Sequence, residues 1–183
     1  ARHGVPLIVI DPRRTEVARA AAIHLQLRPG TNVALLYGLG HVIATEDLTD
    51  RTFIDDRTEG VRDWLETVKD YSPEVVEQLT AVPADLIRRA ARMYALSGAS
   101  LSVHGLGVTE HRWGSHGVMA LCNLALATGN VARPGTGINP LRGQNNVQGA
   151  SDSGCLPTHF VGYQLLDDPI VGARHQSITG RPL

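Results

Sequence analysis

Val5 to Ile10 reads VPLIVI, an unbroken apolar run closed by Asp11-Pro12. A run that short with no polar alternation suits a strand buried on both faces, which means a parallel sheet with layers above and below it. The segments after it keep to that plan. Arg13 to Ala22 fits a short helix, and Ile23 to Leu27 (IHLQL) alternates as a second strand. Thr31 is placed to cap a helix carrying Leu35, Leu36, Leu39 and Ile43 on one face. Gly38 and Gly40 inside that helix each cost about 1 kcal/mol relative to Ala, which predicts close backbone packing there.

Three further helices are marked by punctuation. Thr58 is expected to cap a segment with Val61, Trp64, Leu65 and Val68 inward. Ser72-Pro73 opens the next, with Val75, Val76 and Leu79 inward, since Pro at the first helical position gives up an N–H the helix leaves unpaired. Pro83 opens another, with Ile87, Ala90, Ala91 and Tyr94 on one side and Gly98 as the stop. Ala99 to Gly105 (ASLSVHG) reads as a strand, and Ser115 to Thr128 as a last helix burying Val118, Leu121, Cys122 and Ala125. Strands alternating with helices predict an α/β fold: a Rossmann-like parallel sheet flanked by helices, followed by a long, ordered Gly- and Asn-rich C-terminal loop region.

Size and composition agree with one such domain over residues 1–183, at 43% hydrophobic and 19% charged residues. A formal net charge of -1 excludes nucleic-acid binding by bulk positive charge. The two cysteines, Cys122 and Cys155, form no CxxC pair, so neither a cysteine-built zinc site nor a disulfide framework is expected. No apolar stretch reaches the roughly 18 residues of a membrane span. Both ends of the sequence read as cuts in a longer polypeptide, which is expected to be cytoplasmic.

Ligands of open parallel sheets sit beyond the carboxyl ends of the strands. That rule points to the turns after Ile10, Leu27 and Gly105. A carboxylate at a strand end, as at Asp11, can accept both hydroxyls of a ribose, and an Asp-Pro turn ending a strand is the plainer reading. Arg28-Pro-Gly-Thr-Asn32 leads into a helix N-terminus, where free N–H groups favour phosphate; an ordinary capped loop is the alternative. No GxGxxG or GxxxxGK[ST] is present. Gly105 and Gly107 at a strand exit would let a ligand approach the backbone. His104, Glu110, His111 and His116 lie near one another in sequence, in spacings that fit no familiar zinc pattern.

Charge distribution singles out the later part. Twelve of the 18 acidic residues fall between Glu46 and Asp85, whereas none occurs from His111 to Ser151. Within that acid-free stretch, Asn139 to Gly149 (NPLRGQNNVQG) carries one Arg, two Gln and three Asn. Carboxamides bond heterocycle edges and sugar hydroxyls, and a guanidinium binds an oxyanion bidentately.

The stretch GLGVTEHRWGSHGVMALCNLALATGNVARPGTGINPLRGQNNVQGASDSGCLP resembles the molybdopterin oxidoreductases, in particular catalytic alpha subunits of molybdenum- or tungsten-dependent formate dehydrogenases. VIDPRRTEVARAAAIHLQLRPGTNVALL resembles the nucleotide-binding segment of the same family. The resemblance implies a metal held between two molybdopterin guanine dinucleotides, formate oxidised to carbon dioxide, and electrons passed to a [4Fe–4S] cluster and on to partner subunits. It implies that Asp11, Gly30, Thr31 and Asn32 grip a guanosine end. Leu106, Gly107 and Glu110 would line the pterin. Arg142 would hold the formate carboxylate, with Gly143 and Gln144 in the same wall.

The sequence departs from the family pattern at Asn32, where Asp is usual, at Ala132 for Gly and at Ser153 for Met. The cluster cysteines and the Cys or selenocysteine metal ligand of relatives have no counterpart here, so these 183 residues alone are expected to be inactive and to self-associate. A sister enzyme such as a nitrate reductase, or a non-catalytic scaffold subunit of the same descent, are the alternatives.

Overall fold

A computed structural model describes residues 4–182. The fold is mixed α/β. Strands β1 (Ile8–Ile10) and β2 (Ile23–Leu25) flank the one-turn helix α1 (Glu16–Arg19), whose Thr15 hydroxyl accepts the Ala18 N–H. Then come α2 (Asn32–Thr45), α3 (Arg51–Arg57), α4 (Val61–Val68), α5 (Pro73–Thr80) and α6 (Ala84–Leu96). Strand β3 (Leu101–His104), α7 (Leu106–Thr109), α8 (Gly114–Ala127) and β4 (Gly137–Pro140) follow, and last α9 (Val147–Asp152) and α10 (Pro169–Thr179).

Two compact units are present, residues 1–141 and 142–183. In the first, β1 pairs parallel with β2 and β3 parallel with β4. The predicted parallel pairing is therefore found, in two two-stranded sheets instead of one continuous sheet. The core of this unit is built on α2, from which Leu35, Leu36, Leu39 and Ile43 point inward as expected. Both predicted glycine contacts occur: a Cβ on Gly38 would lie 2.8 Å from Val76 Cγ2, and one on Gly40 3.2 Å from Trp64 and Val68. Helices α2 and α6 are further clamped where Arg92 grips both carboxylate oxygens of Glu46 at 2.6 and 2.8 Å. That hydrogen-bonded guanidinium holds the Glu46 carboxyl below its ordinary range.

Several expectations shift. Thr58 closes α3, which the sequence reading did not foresee, and Gly60 at φ +74° opens α4. In α5, Val76 and Thr80 are buried, whereas Val75 and Leu79 face outward. In α8 the buried stripe is Gly117, Ala120 and Leu124 with Ala125, so Val118, Leu121 and Cys122 are only half-buried. The small residues let α8 lie close to its neighbours, and this turns the helix by about one position. The C-terminal region expected to be loop contains β4, α9 and α10, and the motif from Asn139 to Gly149 runs from the end of β4 into the start of α9.

Candidate functional site

The carboxyl ends of the strands in residues 1–141 share one direction. Strand β2 leads into the start of α2, and Asn32 at that start donates from Nδ2 to the Gly107 carbonyl at 3.1 Å, just past the end of β3. The ends of β1, β2 and β3 are thus gathered at one rim. A cleft of about 910 Å³ opens there and runs back between the two sheets, with Asp11, Asn32, His104, Gly105 and Gly107 among its walls.

Asp11 follows β1 directly, and its Oδ1 accepts the Arg13 N–H at 2.7 Å, the turn geometry an Asp-Pro strand exit favours. His24 Nε2 lies 2.9 Å from the Asp11 carbonyl and fixes the same turn from β2. One carboxylate oxygen is therefore committed to the turn, while Asp11 as a whole borders the cleft. Gly30 adopts φ +86° with open space where a Cβ would sit, so the turn before α2 needs glycine for its backbone and not for its packing. Thr31 occupies the N-cap position of α2, but its hydroxyl donates to the Arg28 carbonyl at 2.7 Å instead of capping the helix. The first N–H groups of α2 are left for another acceptor.

Past β3, Leu106 and Gly107 form the exposed first turn of α7, and the exposed Glu110 caps its C-terminal end. A Cβ on Gly107 would meet nothing within 4 Å. Of the residues singled out by sequence, the structure brings Asp11, Asn32 and Gly107 to one cleft; Gly30, Thr31, Leu106 and Glu110 do not line it. Arg142, Gly143 and Gln144 belong to the second unit, where all three are exposed at a bend before α9. Among the described residues the Arg142 guanidinium makes no ion pair. Asn146, next in that bend, takes a left-handed conformation (φ +49°) and caps α9 by accepting the Gly149 N–H.

In the sequence His104 stands in a histidine cluster whose spacing fits no familiar zinc pattern. In the structure it is buried at the end of β3, on the cleft wall, and its Nδ1 has no hydrogen-bond partner among the described residues. The signal available was period two: Ser102 and His104 alternate with Leu101 and Val103. Ser102 is satisfied by the Tyr94 hydroxyl at 3.1 Å, and burial pushes the Tyr94 hydroxyl pKa up despite that bond. No group of three or more His, Cys, Asp or Glu side chains that could hold a metal occurs among the described residues. A second cavity of about 260 Å³, beside Tyr37, Trp64 and Asn123, includes none of the singled-out residues.

Residues 1–172 match the family model described as molybdopterin oxidoreductase. The chain is 48% identical over 168 residues to formate dehydrogenase H of Escherichia coli (strain K12), a match covering 92% of this chain and 24% of that protein. It is likewise 48% identical over 163 residues to the F420-dependent formate dehydrogenase 1 subunit alpha of Methanococcus maripaludis, covering 89% of this chain and 24% of that one. Among solved structures, acetylene hydratase from Pelobacter acetylenicus superimposes with a TM-score of 0.70 at 35% identity, over 73% of this chain and 18% of that one. The chain spans about a quarter of the length of the curated relatives it matches.

Proposed function

The chain belongs to the molybdopterin oxidoreductase family, and from that premise we propose that it is the central cofactor- and substrate-binding region of a formate dehydrogenase catalytic subunit. What carries the reading is the extent of the likeness. Identity of 48% runs over nearly the whole chain to formate dehydrogenases, whereas the hydratase of similar fold stands at 35%.

The residues present fit a pterin dinucleotide. The start of α2 offers N–H groups its own cap does not use, Gly107 leaves room for close approach, and His104 on the same cleft wall has a buried Nδ1 with no partner among the described residues. Helix N–H groups and the helix dipole favour the pyrophosphate. Asp11, Gly30, Thr31 and Asn32 would hold the guanosine end, with Leu106, Gly107 and Glu110 beside the pterin. When bound, the bis-molybdopterin guanine dinucleotide, with molybdenum or tungsten, supplies the two-electron oxidation of formate to carbon dioxide, the electrons leaving through a [4Fe–4S] cluster to an acceptor subunit.

The part played by this chain is positioning. The Arg142 guanidinium takes the two formate oxygens as a planar fork and fixes the direction of the C–H bond. An ammonium group carries the same charge without the fork. In the complete translation product, loaded with cofactor and assayed by formate-dependent dye reduction, Arg142→Lys is expected to raise the formate KM by about tenfold or more, in line with roughly 1.4 kcal/mol or more of lost binding. Unchanged kinetics would remove Arg142 from the site, and no formate-dependent reduction by the loaded wild type would remove the assignment as a whole.

A further inference from the structure

The cleft between the two sheets is long, apolar and walled by backbone, which is a poor description of a dinucleotide site along most of its length. Its floor is made by Leu36 and Leu39 of α2, Ala90 of α6 and Leu124 of α8. Among the described residues, Asp11 at the rim and His104 at the end of β3 are the acidic and basic side chains on its walls, and no Lys, Arg or Glu lines it.

The backbone on both walls faces inward unpaired. The Leu7 carbonyl accepts the Ile23 N–H, and the Asp11 N–H donates to the Leu25 carbonyl. Odd positions of β1 thus point to β2. Because successive backbone groups along a strand point to opposite sides, Ile8 and Ile10 turn theirs to the cleft. On the other wall the His104 carbonyl accepts the Leu141 N–H, so Ser102 and His104 face β4. The backbone groups of Leu101 and Val103 then face the cleft, and the two residues are 53% and 52% exposed. The strands on the two walls run the same way: Asp11 and Pro12, which follow β1, and Gly105 and Gly107, which follow β3, line the same cleft, and Asn32 at the start of α2 bonds the Gly107 carbonyl there.

We propose that an additional polypeptide strand, extended, uncharged and parallel to its neighbours, seats between β1 and β3 and joins the two pairs into a single five-stranded sheet. A bound small molecule would fill volume and leave two rows of edge N–H and C=O groups unpaired; a peptide strand pairs both rows. The relatives are about four times as long as this chain, and a strand from the rest of such a polypeptide is the occupant. The cofactor then lies beyond the strand ends, at the polar rim, and not along the apolar floor. The strand assignment stands independently of which cofactor or substrate the rim takes.

Amide hydrogen exchange, read residue by residue in the complete translation product, tests this. The N–H groups of Ile8, Ile10, Leu101 and Val103 are expected to exchange at least about 100-fold more slowly than the same groups in the 183-residue chain. Val9 and Ser102, which face β2 and β4, should be slow in both and report that the sheets are formed. Rapid exchange at the four cleft-facing positions of the complete product, with Val9 and Ser102 slow, overturns the proposal. Protection in the 183-residue chain that grows with its concentration overturns it too, by assigning the slot to a second copy.

Discussion

At position 32 an amide does something a carboxylate cannot. Asn32 Nδ2 donates to the Gly107 carbonyl and so ties the start of α2 to the turn after β3. Asn32→Asp would lose that bond, worth about 0.5–1.5 kcal/mol net. It would gain a negative charge at the first position of a helix, worth about 0.3–1 kcal/mol. The two nearly cancel, so the melting temperature is expected to move little, within about 1 kcal/mol of stability. Local order should not cancel: the amides of Leu106 to Thr109 are expected to exchange faster in Asn32→Asp, and equal protection would show that the link does not hold the turn. Ala132, another of the three departures from the family pattern, sits at φ +59°, where the usual glycine is free of the Cβ penalty.

At the scale of elements, the sign of a glycine substitution depends on what the helix lies against. Replacing Gly38 by Ala gains about 1 kcal/mol of helix propensity. It also drives a Cβ to 2.8 Å from Val76, whose branched side chain is fully buried and cannot swing aside. Overpacking of that kind costs about 1–3 kcal/mol. Gly38→Ala is therefore expected to lower the urea midpoint, and a rise would mean that α2 and α5 can separate more readily than their packing suggests. This contact was legible in the sequence, as were α2 and α6, because their apolar period and punctuation agree. Helix α8 was legible in extent but not in orientation, since Gly117 and Ala120 bury backbone that a reading based on large side chains overlooks. Strand β4 was not legible: Gly-Ile-Asn-Pro has little strand propensity and pairs because β3 is beside it. Helix α10 has no buried face to show as a stripe, although Asp168-Pro169 gave a cap and first-position signal that could have located it. The cleft divides in the same way. Asp11, Asn32 and Gly107 border it at strand ends and a helix start, which are local signals in the sequence. The unpartnered nitrogen of His104 is a property of the packed sheet, which spacing along the chain does not show.

At the scale of the whole molecule, the two units differ in what holds them. All of the buried hydrophobic core lies at or before Ala127, within residues 1–141. In the stretch Arg142–Leu183, neither α9 nor α10 contains a buried residue. Their order is kept by caps: Asn146 accepting the Gly149 N–H, and Asp168 accepting the Ile170 N–H. A cap contributes about 1 kcal/mol, and a piece of about 40 residues with a single cysteine and no buried core among its described residues does not overcome its chain entropy. A polypeptide of residues 1–141 is thus expected to unfold cooperatively, with a urea transition close to that of all 183 residues. A peptide of residues 142–183 is expected to show little helical circular dichroism. A strongly helical, cooperatively melting peptide would contradict this and give Arg142 a preformed scaffold of its own. If the peptide is unfolded, the roles proposed for Arg142, Gly143 and Gln144 require ordering by something outside their unit. The isolated 183-residue chain, with Leu101, Val103 and the inner edges of β1 and β3 uncovered, would then combine a stable helical core, an unpaired pair of sheet edges and an unfolded segment around the proposed formate-binding arginine, which is a physical reason to expect it to be inactive alone.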